Sequence, residues 1–221
     1  MKILFIRHAK SENYDVNKRQ SPKSKLGIIG LTQAKLVGKR INKFLKSDSD
    51  KYYSIITSRW IRALETAEII SEETGLQKVT HPLIHEFLSN SIIANQPLDS
   101  RIVKEFEKEV AENGHNFDWR FKGKGESMRD IINRAKDFKK DLLTSYFGKN
   151  YIVVSHGLFI TCFVTLIMLD DNYDDKLFKK ISDMIRLENT SLTYVIYDEK
   201  LGSWQIRFLN DASHLHPSTL K

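Results

Sequence analysis

The chain has 221 residues, enough for one large domain with a hydrophobic core, and we expect a single domain over residues 1–221. With 41% hydrophobic and 29% charged residues, the composition is that of a soluble globular protein. The single cysteine, Cys162, excludes an internal disulfide and a cysteine-rich zinc site, and the net charge of +7 favours anionic partners.

The same data predict a cytoplasmic protein without membrane association. Arg7 interrupts the N-terminal apolar run after a few residues, so a signal peptide is not expected. The longest apolar stretch, residues 158–169, is shorter than the ~18 residues of a membrane span. No recognisable nucleic-acid motif is present, and a basic surface that attracts small phosphorylated molecules explains the charge equally well.

The first predicted element is a strand over residues 3–6, an unbroken run of apolar, mostly β-forming residues. Because polar and apolar residues do not alternate, this strand should be buried on both faces, as in a parallel sheet under helices. The run stops at Arg7 and His8, which therefore emerge together at the carboxyl end of the strand. Open α/β sheets bind ligands in the crevice at those ends. An arginine there can hold a phosphate or a carboxylate, and a histidine can act as base, ligand or nucleophile.

The following segment, residues 10–30, is polar and basic and predicts a long loop. Long loops in compact domains are often lids or binding segments, and an ordinary surface loop is an equal alternative. Thr32 is predicted to cap the first helix, and residues 54–57 predict a second short strand. Ser58 then stands where the cap of the next helix belongs.

Residues 79–84 predict a third strand, which should be peripheral because Pro82 interrupts it. The looser pattern of residues 87–125 predicts an insertion over the domain, with one amphipathic helix over residues 99–112. Ser127 begins a long helix with a capping-box pattern.

The C-terminal part repeats the opening design. Residues 151–154 predict a buried strand that is followed by His156 and then by an apolar helix. Residues 191–197 and 204–209 predict an antiparallel hairpin at the sheet edge. Strands and helices alternate along most of the chain. We therefore predict an α/β fold: a three-layer α/β/α sandwich with a mainly parallel central sheet, an antiparallel edge strand and a helical insertion over the active site.

Four side chains at the ends of these strands are expected to converge: Arg7, His8, Arg62 and His156. Two arginines and two histidines suit phosphoryl transfer, because fixed donors stabilise the charge on the three equatorial oxygens of the transferring group. One imidazole would attack phosphorus to form a phosphohistidine, and a carboxylic acid would protonate the leaving group. A metal site with both histidines and an acid as ligands is the alternative, but the arginines would raise its electrostatic cost.

In this order the segments resemble the histidine phosphatase superfamily, in its phosphoglycerate mutase-like branch. Residues 7–11, Arg-His-Ala-Lys-Ser, look like the Arg-His-Gly signature of that family. Residues 58–67 are similar to its Ser…Arg-Ala-x-x-Thr-Ala block, residues 125–127 to its Gly-Glu-Ser turn, and residues 154–157 to its second histidine. The resemblance continues into the C-terminal tail, and only the insertion is unmatched.

The resemblance implies distinct roles for the converging residues. His8 would be the phosphorylated nucleophile, and Arg7, Arg62 and His156 would bind the phosphoryl oxygens. Positions that line the phosphate pocket of the family, or that open the helix after its second histidine, are predicted to contact the substrate: Ser11, Asn13 and Leu158.

The resemblance also implies a general acid after the third strand. Glu86, in the segment Leu-Ile-His-Glu-Phe, is the candidate. Its neighbour His85 is the rival, and an ordinary surface position for Glu86 is a further alternative.

The chain departs from the family pattern at two places. Ala9 and Lys10 replace a glycine and a common Glu or Gln after the histidine, and the extra cation could strengthen anion binding. The Glu-Arg-His-Tyr-Gly run that mutases carry after the acid is absent, because Phe-Leu-Ser-Asn follows Glu86. A phosphatase therefore ranks above a cofactor-dependent phosphoglycerate mutase, and the small phosphatases that act on phosphohistidine rank third.

We therefore predict a phosphoric monoester hydrolase without a metal or another cofactor. Its substrate would be a small phosphorylated metabolite, with no nucleic-acid or membrane partner, and the prediction leaves a homodimer open. A superfamily member that has lost catalysis and only binds a phosphorylated ligand is the alternative from another class. The competent residue types at each catalytic position argue against it.

Overall fold

Within the described residues, six strands form one sheet. They are β1 (Lys2–Arg7), β2 (Tyr53–Ser58), β3 (Lys78–His81), β4 (Asn150–Ser155), β5 (Leu192–Asp198) and β6 (Ser203–Asp211). The computed structural model describes residues 1–14, 16–48, 52–170 and 173–215. The strand order is β3-β2-β4-β1-β5-β6, with β1 to β4 parallel to one another and β5 antiparallel to both of its neighbours. The mainly parallel sheet with an antiparallel hairpin at its edge confirms the predicted fold class.

Helices cover both faces of the sheet. They are α1 (Ile28–Ser47), α2 (Ile61–Thr74), α3 (Arg101–Asn113), α4 (Met128–Thr144), α5 (Gly157–Leu169) and α6 (Asp175–Met184). Alternate residues of β1 enter different cores: Ile3 and Phe5 pack with α4 and α5, whereas Leu4 and Ile6 pack with α1 and α2. This explains the unbroken apolar run of β1, because both of its faces are buried.

Two predicted helix starts are wrong. Helix α1 begins at Ile28 rather than at Thr32, whose hydroxyl instead donates to the Ile28 carbonyl within the first turn. The first turn packs directly on the preceding loop: a Cβ at Gly30 would lie 1.9 Å from the Lys10 carbonyl oxygen. This close approach requires glycine and is not visible in the hydrophobic periodicity.

The second wrong start is at Ser58, which belongs to the end of β2. Helix α2 begins at Ile61, with Trp60 in the N-cap position. The Ser58 hydroxyl accepts from the Trp60 N–H at 3.3 Å and lies against His156, so its side chain serves the site.

The other element boundaries are close to the predicted ones. Strand β3 lies at the sheet edge and stops at His81, just before the proline. Helix α3 lies within residues 87–125, and Ser127 and Asp130 form the expected capping box at the start of α4. The short helix α6 was not predicted. Among the described residues, no helix is both long enough and apolar enough to cross a membrane.

Candidate active site

The fold brings the four predicted residues together. Strands β2, β4 and β1 are adjacent and parallel, so their carboxyl ends meet at one edge of the sheet. His8 follows β1, His156 follows β4, and Arg62 lies in the first turn of the helix after β2. These three side chains are buried, with at most 1% of their surface exposed.

His8 is held as one tautomer by two hydrogen bonds. Its Nε2 atom accepts from Arg62 Nε at 2.9 Å, and its Nδ1 atom lies 2.7 Å from the Ala9 carbonyl oxygen. A guanidinium can only donate, so Nε2 carries a lone pair and the ring proton is on Nδ1. Burial lowers the pKa of His8 well below its ordinary value of 6.5, and the neighbouring Arg62 and Arg7 lower it further. His8 therefore has a neutral imidazole whose Nε2 lone pair faces the Arg62 guanidinium.

His156 packs beside it, with the two ring centroids 4.9 Å apart. Its Nε2 atom lies 2.9 Å from the Ser58 hydroxyl, and its buried Nδ1 atom has no hydrogen-bond partner within the described part of the chain. Burial lowers the pKa of His156 well below 6.5, and the positive charge of Arg62 adds to the shift. A buried polar nitrogen without a partner is uncommon, and it is a candidate donor to a bound anion.

The two arginines are anchored by backbone carbonyls. Arg62 donates from NH1 to the Ser21 carbonyl at 2.8 Å, and its guanidinium carbon lies 4.8 Å from the Trp60 ring centroid. Arg7 donates to the Leu187 carbonyl. A Cβ at Gly157 would lie 3.4 Å from Arg7 Nε, so glycine keeps the start of α5 close to this guanidinium.

The buried histidines make stability depend on pH. The pKa of both His8 and His156 is lower in the folded chain than the ordinary 6.5, so unfolding takes up protons below that pH. The free energy of unfolding should therefore hold its full value above pH 6.5 and fall as pH decreases through it, by up to about 1.4 kcal/mol per pH unit for each histidine. Urea unfolding at several pH values should show this slope. His8→Gln should make it shallower, and an unchanged slope in that variant would contradict the assignment.

Glu86 lies between two cavities that open from the site. Its Oε2 atom accepts from the Leu158 N–H at 3.2 Å, and its Oε1 atom accepts from the Phe87 N–H at 3.0 Å. Glu86 and Leu158 line both cavities. His85 lines neither. Its ring stacks on Trp60 at 5.7 Å, and its Nδ1 atom lies 2.8 Å from the Glu86 carbonyl oxygen.

The cavities have volumes of about 660 and 550 Å³, within the range of small-molecule sites. The larger one includes Arg7 and is walled by the end of α3, by α6 and by residues 185–187. The smaller one includes Arg62 and Trp60 and lies under the first loop and the start of the insertion. The two cavities share Glu86 and Leu158 as lining residues.

Of the three other predicted contacts, only Leu158 lines a cavity, and its N–H is engaged by Glu86. Ser11 accepts from Gln20 Nε2 at 2.7 Å, and Asn13 donates from its amide to the Arg19 carbonyl at 3.0 Å. Neither Ser11 nor Asn13 lines either cavity. Both side chains make hydrogen bonds within the loop that precedes α1.

Several site residues were not found from the sequence. The amide of Asn189 donates to the His8 carbonyl at 2.8 Å, and the Thr66 hydroxyl accepts from the Ala9 N–H at 3.1 Å. Trp60 packs on Arg62, His85 and His156. Ser58 could have been inferred, since a polar residue at the end of a strand parallel to β4 meets the residue after β4.

The unusual Ala9-Lys10 pair is also explained in part. The Ala9 side chain is fully buried and packs with Leu26 and Ala34, so the added methyl fills a small apolar cluster. The Lys10 N–H donates to Gln33 Oε1 at 3.0 Å, and its carbonyl accepts from the Gly27 N–H. The backbone of this pair therefore attaches the loop to α1.

Comparisons with known proteins identify the family of this chain. A family model described as the histidine phosphatase superfamily (branch 1) matches residues 3–212. A Yersinia pestis protein named probable phosphoglycerate mutase GpmB is 28% identical over 220 residues, which cover 97% of this chain and 95% of that protein.

Two solved structures with similar folds are described as phosphatases. The alpha-ribazole phosphatase from Shigella flexneri aligns with a TM-score of 0.74 and 17% identity over 96% of each chain. A mycobacterial glucosyl-3-phosphoglycerate phosphatase aligns with a TM-score of 0.72 and 19% identity over 95% of this chain and 98% of that one. At these identities the alignments show a shared fold.

Proposed function

This chain belongs to the histidine phosphatase superfamily, and from that membership we propose that it is a metal-independent phosphatase that hydrolyses phosphate monoesters through a phosphohistidine intermediate. The observation that carries the proposal is the His8 ring, neutral and buried, whose Nε2 lone pair faces the Arg62 guanidinium. Arg62, Arg7 and His156 lie around the His8 ring as cationic and polar groups, which suits a phosphoryl group.

In the first step, His8 Nε2 attacks phosphorus and the bond from phosphorus to the leaving oxygen breaks. Arg62 Nε occupies the lone pair in the free protein, so the guanidinium must turn to a phosphoryl oxygen as the substrate enters. Glu86, protonated at this stage, gives its proton to the leaving oxygen, and an alcohol departs.

In the second step, water attacks the phosphohistidine. The Glu86 carboxylate takes a proton from that water, and the N–P bond breaks as the P–O bond forms. Inorganic phosphate leaves, the lone pair returns to His8 Nε2, and Glu86 is protonated again. The site therefore needs only the substrate, water and its own residues.

Within this scheme Glu86 is preferred over His85 as the proton donor. Its carboxylate borders both cavities, where a leaving group has room, whereas the His85 ring stacks on Trp60. The substrate we propose is a small phosphorylated metabolite, because each cavity has a volume typical of a small-molecule site.

A phosphoglycerate mutase is the second candidate, favoured by the name of the Yersinia relative. A mutase must re-bind a bisphosphorylated intermediate beside the acid. Here the residues after Glu86 are engaged elsewhere: the Leu88 N–H donates to Glu126 Oε2 at 2.8 Å, and the Leu88 carbonyl accepts from the Glu126 N–H at the same distance. Phosphatase is therefore the better proposal.

We expect phosphate release from one or more members of a phosphometabolite panel, and from an aryl phosphate, in the presence of EDTA. Isomerisation of phosphoglycerate that depends on the bisphosphate, with little phosphate release, would identify a mutase instead. No turnover across the panel by a correctly folded sample would favour the silent phospho-ligand-binding alternative. Activity that EDTA removes and Mg²⁺ restores would contradict metal independence.

A further inference from the structure

We propose that Glu126 and Arg134 position the Glu86 carboxylate for proton transfer. The inference rests on the proposed function and adds two residues to it, neither of which lines either cavity. We use the name acid segment for residues 83–86, which end in Glu86.

The acid segment lies outside the described strands, because β3 stops at His81. Each of its four carbonyl groups instead accepts a hydrogen bond from a side chain. The carbonyls of Leu83, His85 and Glu86 accept from Arg134, the last two at 3.0 and 3.4 Å. The Ile84 carbonyl accepts from the Ser155 hydroxyl at 2.7 Å. One guanidinium thus holds three of the four residues that lead to the acid.

Arg134 is itself held by a carboxylate. Its Nε and NH2 atoms donate to the two oxygens of Glu126 at 2.7 and 3.0 Å, in the bidentate geometry that fixes a guanidinium plane. The side chains of Arg134 and Glu126 are only 12% and 15% exposed. In an ion pair that is buried to this extent, removal of either partner leaves the charge of the other without compensation.

Glu126 also contacts the backbone that follows Glu86 in the chain. It makes two hydrogen bonds with the backbone of Leu88, through its own N–H and its carboxylate. The preceding Gly125 has φ +80°, and a Cβ there would lie 2.8 Å from the Leu88 carbonyl oxygen and the Asn90 nitrogen. Glycine is therefore required for this approach, and the Gly-Glu-Ser turn holds the chain on both sides of Glu86.

These contacts determine where the Glu86 carboxylate lies. The Glu86 carboxylate accepts hydrogen bonds from the N–H of the next residue, Phe87, and from the Leu158 N–H. The Leu158 amide is one of the first helical N–H groups, which have no partner inside the helix. If the acid segment moves, the carboxylate leaves this amide and the leaving oxygen, and misplacement by about 1 Å costs up to about a hundredfold in rate.

The test measures kcat/KM for a series of aryl phosphates whose leaving groups differ in basicity. This parameter reports the steps up to phosphohistidine formation, whatever limits the later hydrolysis. Glu126→Gln and Arg134→Lys should lose about tenfold to a hundredfold on poor leaving groups and less than about threefold on good ones. Combining Glu126→Gln with Glu86→Gln should add almost nothing to the loss of the single Glu86 variant.

Asp175→Asn is the matched control. Arg129, on the same helix α4, makes a bidentate pair with Asp175 that includes a 2.9 Å bond and does not touch the acid segment. This variant should leave the dependence on the leaving group unchanged. An equal loss on good and poor leaving groups in folded Glu126→Gln, or full additivity with Glu86→Gln, would overturn the proposal.

A second measurement does not depend on activity. Amide exchange at Leu158, followed by NMR, should be faster in Glu126→Gln than in the wild type, because the Glu86 carboxylate protects that amide. An unchanged exchange rate would overturn positioning. If the wild type hydrolyses no phosphate ester but the exchange rate rises, the phosphatase proposal fails and the positioning of Glu86 stands.

Discussion

Replacing His8 by alanine should lower kcat/KM for phosphate esters by about 10⁴-fold or more, the order of loss seen when a covalent nucleophile is removed. The reason is that the proposed nucleophile, the lone pair on Nε2, is lost with the imidazole ring. A rapid-quench experiment with labelled substrate should trap an acid-labile, alkali-stable phosphoenzyme in the wild type. His8→Ala should yield none.

His156→Ala is the matched comparison, because that ring is equally buried and lies 4.9 Å from the His8 ring. It should slow the reaction through loss of a phosphoryl contact and still form the phosphoenzyme. A phosphoenzyme in His8→Ala but not in His156→Ala would identify His156 as the nucleophile and leave His8 as a phosphoryl contact. Full activity of folded His8→Ala would end the nucleophile assignment altogether.

The Glu86→Gln variant should lose about 10² to 10⁴ in kcat/KM on substrates with poor leaving groups and change little on those with good ones. Gln keeps the shape and an oxygen that can accept from the Leu158 N–H, but it has no proton to give at neutral pH. Phosphate release from alkyl phosphates and from activated aryl phosphates separates the two cases.

The same substrates test the rival acid. His85→Gln should show no dependence on the leaving group, because the His85 ring packs on Trp60 and lines neither cavity. If His85→Gln shows the leaving-group dependence and Glu86→Gln shows a uniform loss, the proton donor is the histidine. Both residues lie in the acid segment, so a general disturbance of that segment would affect the two variants alike.

The strands and their ends could be predicted because their signals are local. An apolar run without alternation predicted the buried strands β1 and β4. The polar residue after each run marked the carboxyl end of the strand. The capping box at Ser127 was likewise local, since its two partners are three residues apart. The predicted start of helix α1 at Thr32 is too late, because the first turn is held by close packing of Gly30 on the Lys10 backbone. This packing has no periodic signature in the sequence.

The sequence by itself determined the α/β fold, the residue types at the crevice and the order of the family motifs. Only the tertiary structure decided what each side chain contacts. Arg62 gives His8 its tautomer from 54 positions away, and Ser58 meets His156 across 98. Arg134 reaches the carbonyls of the acid segment from about 50 positions along the chain. Hydrophobic periodicity reports which face of an element is buried, whereas a hydrogen bond between distant residues depends on the register and packing of the whole sheet.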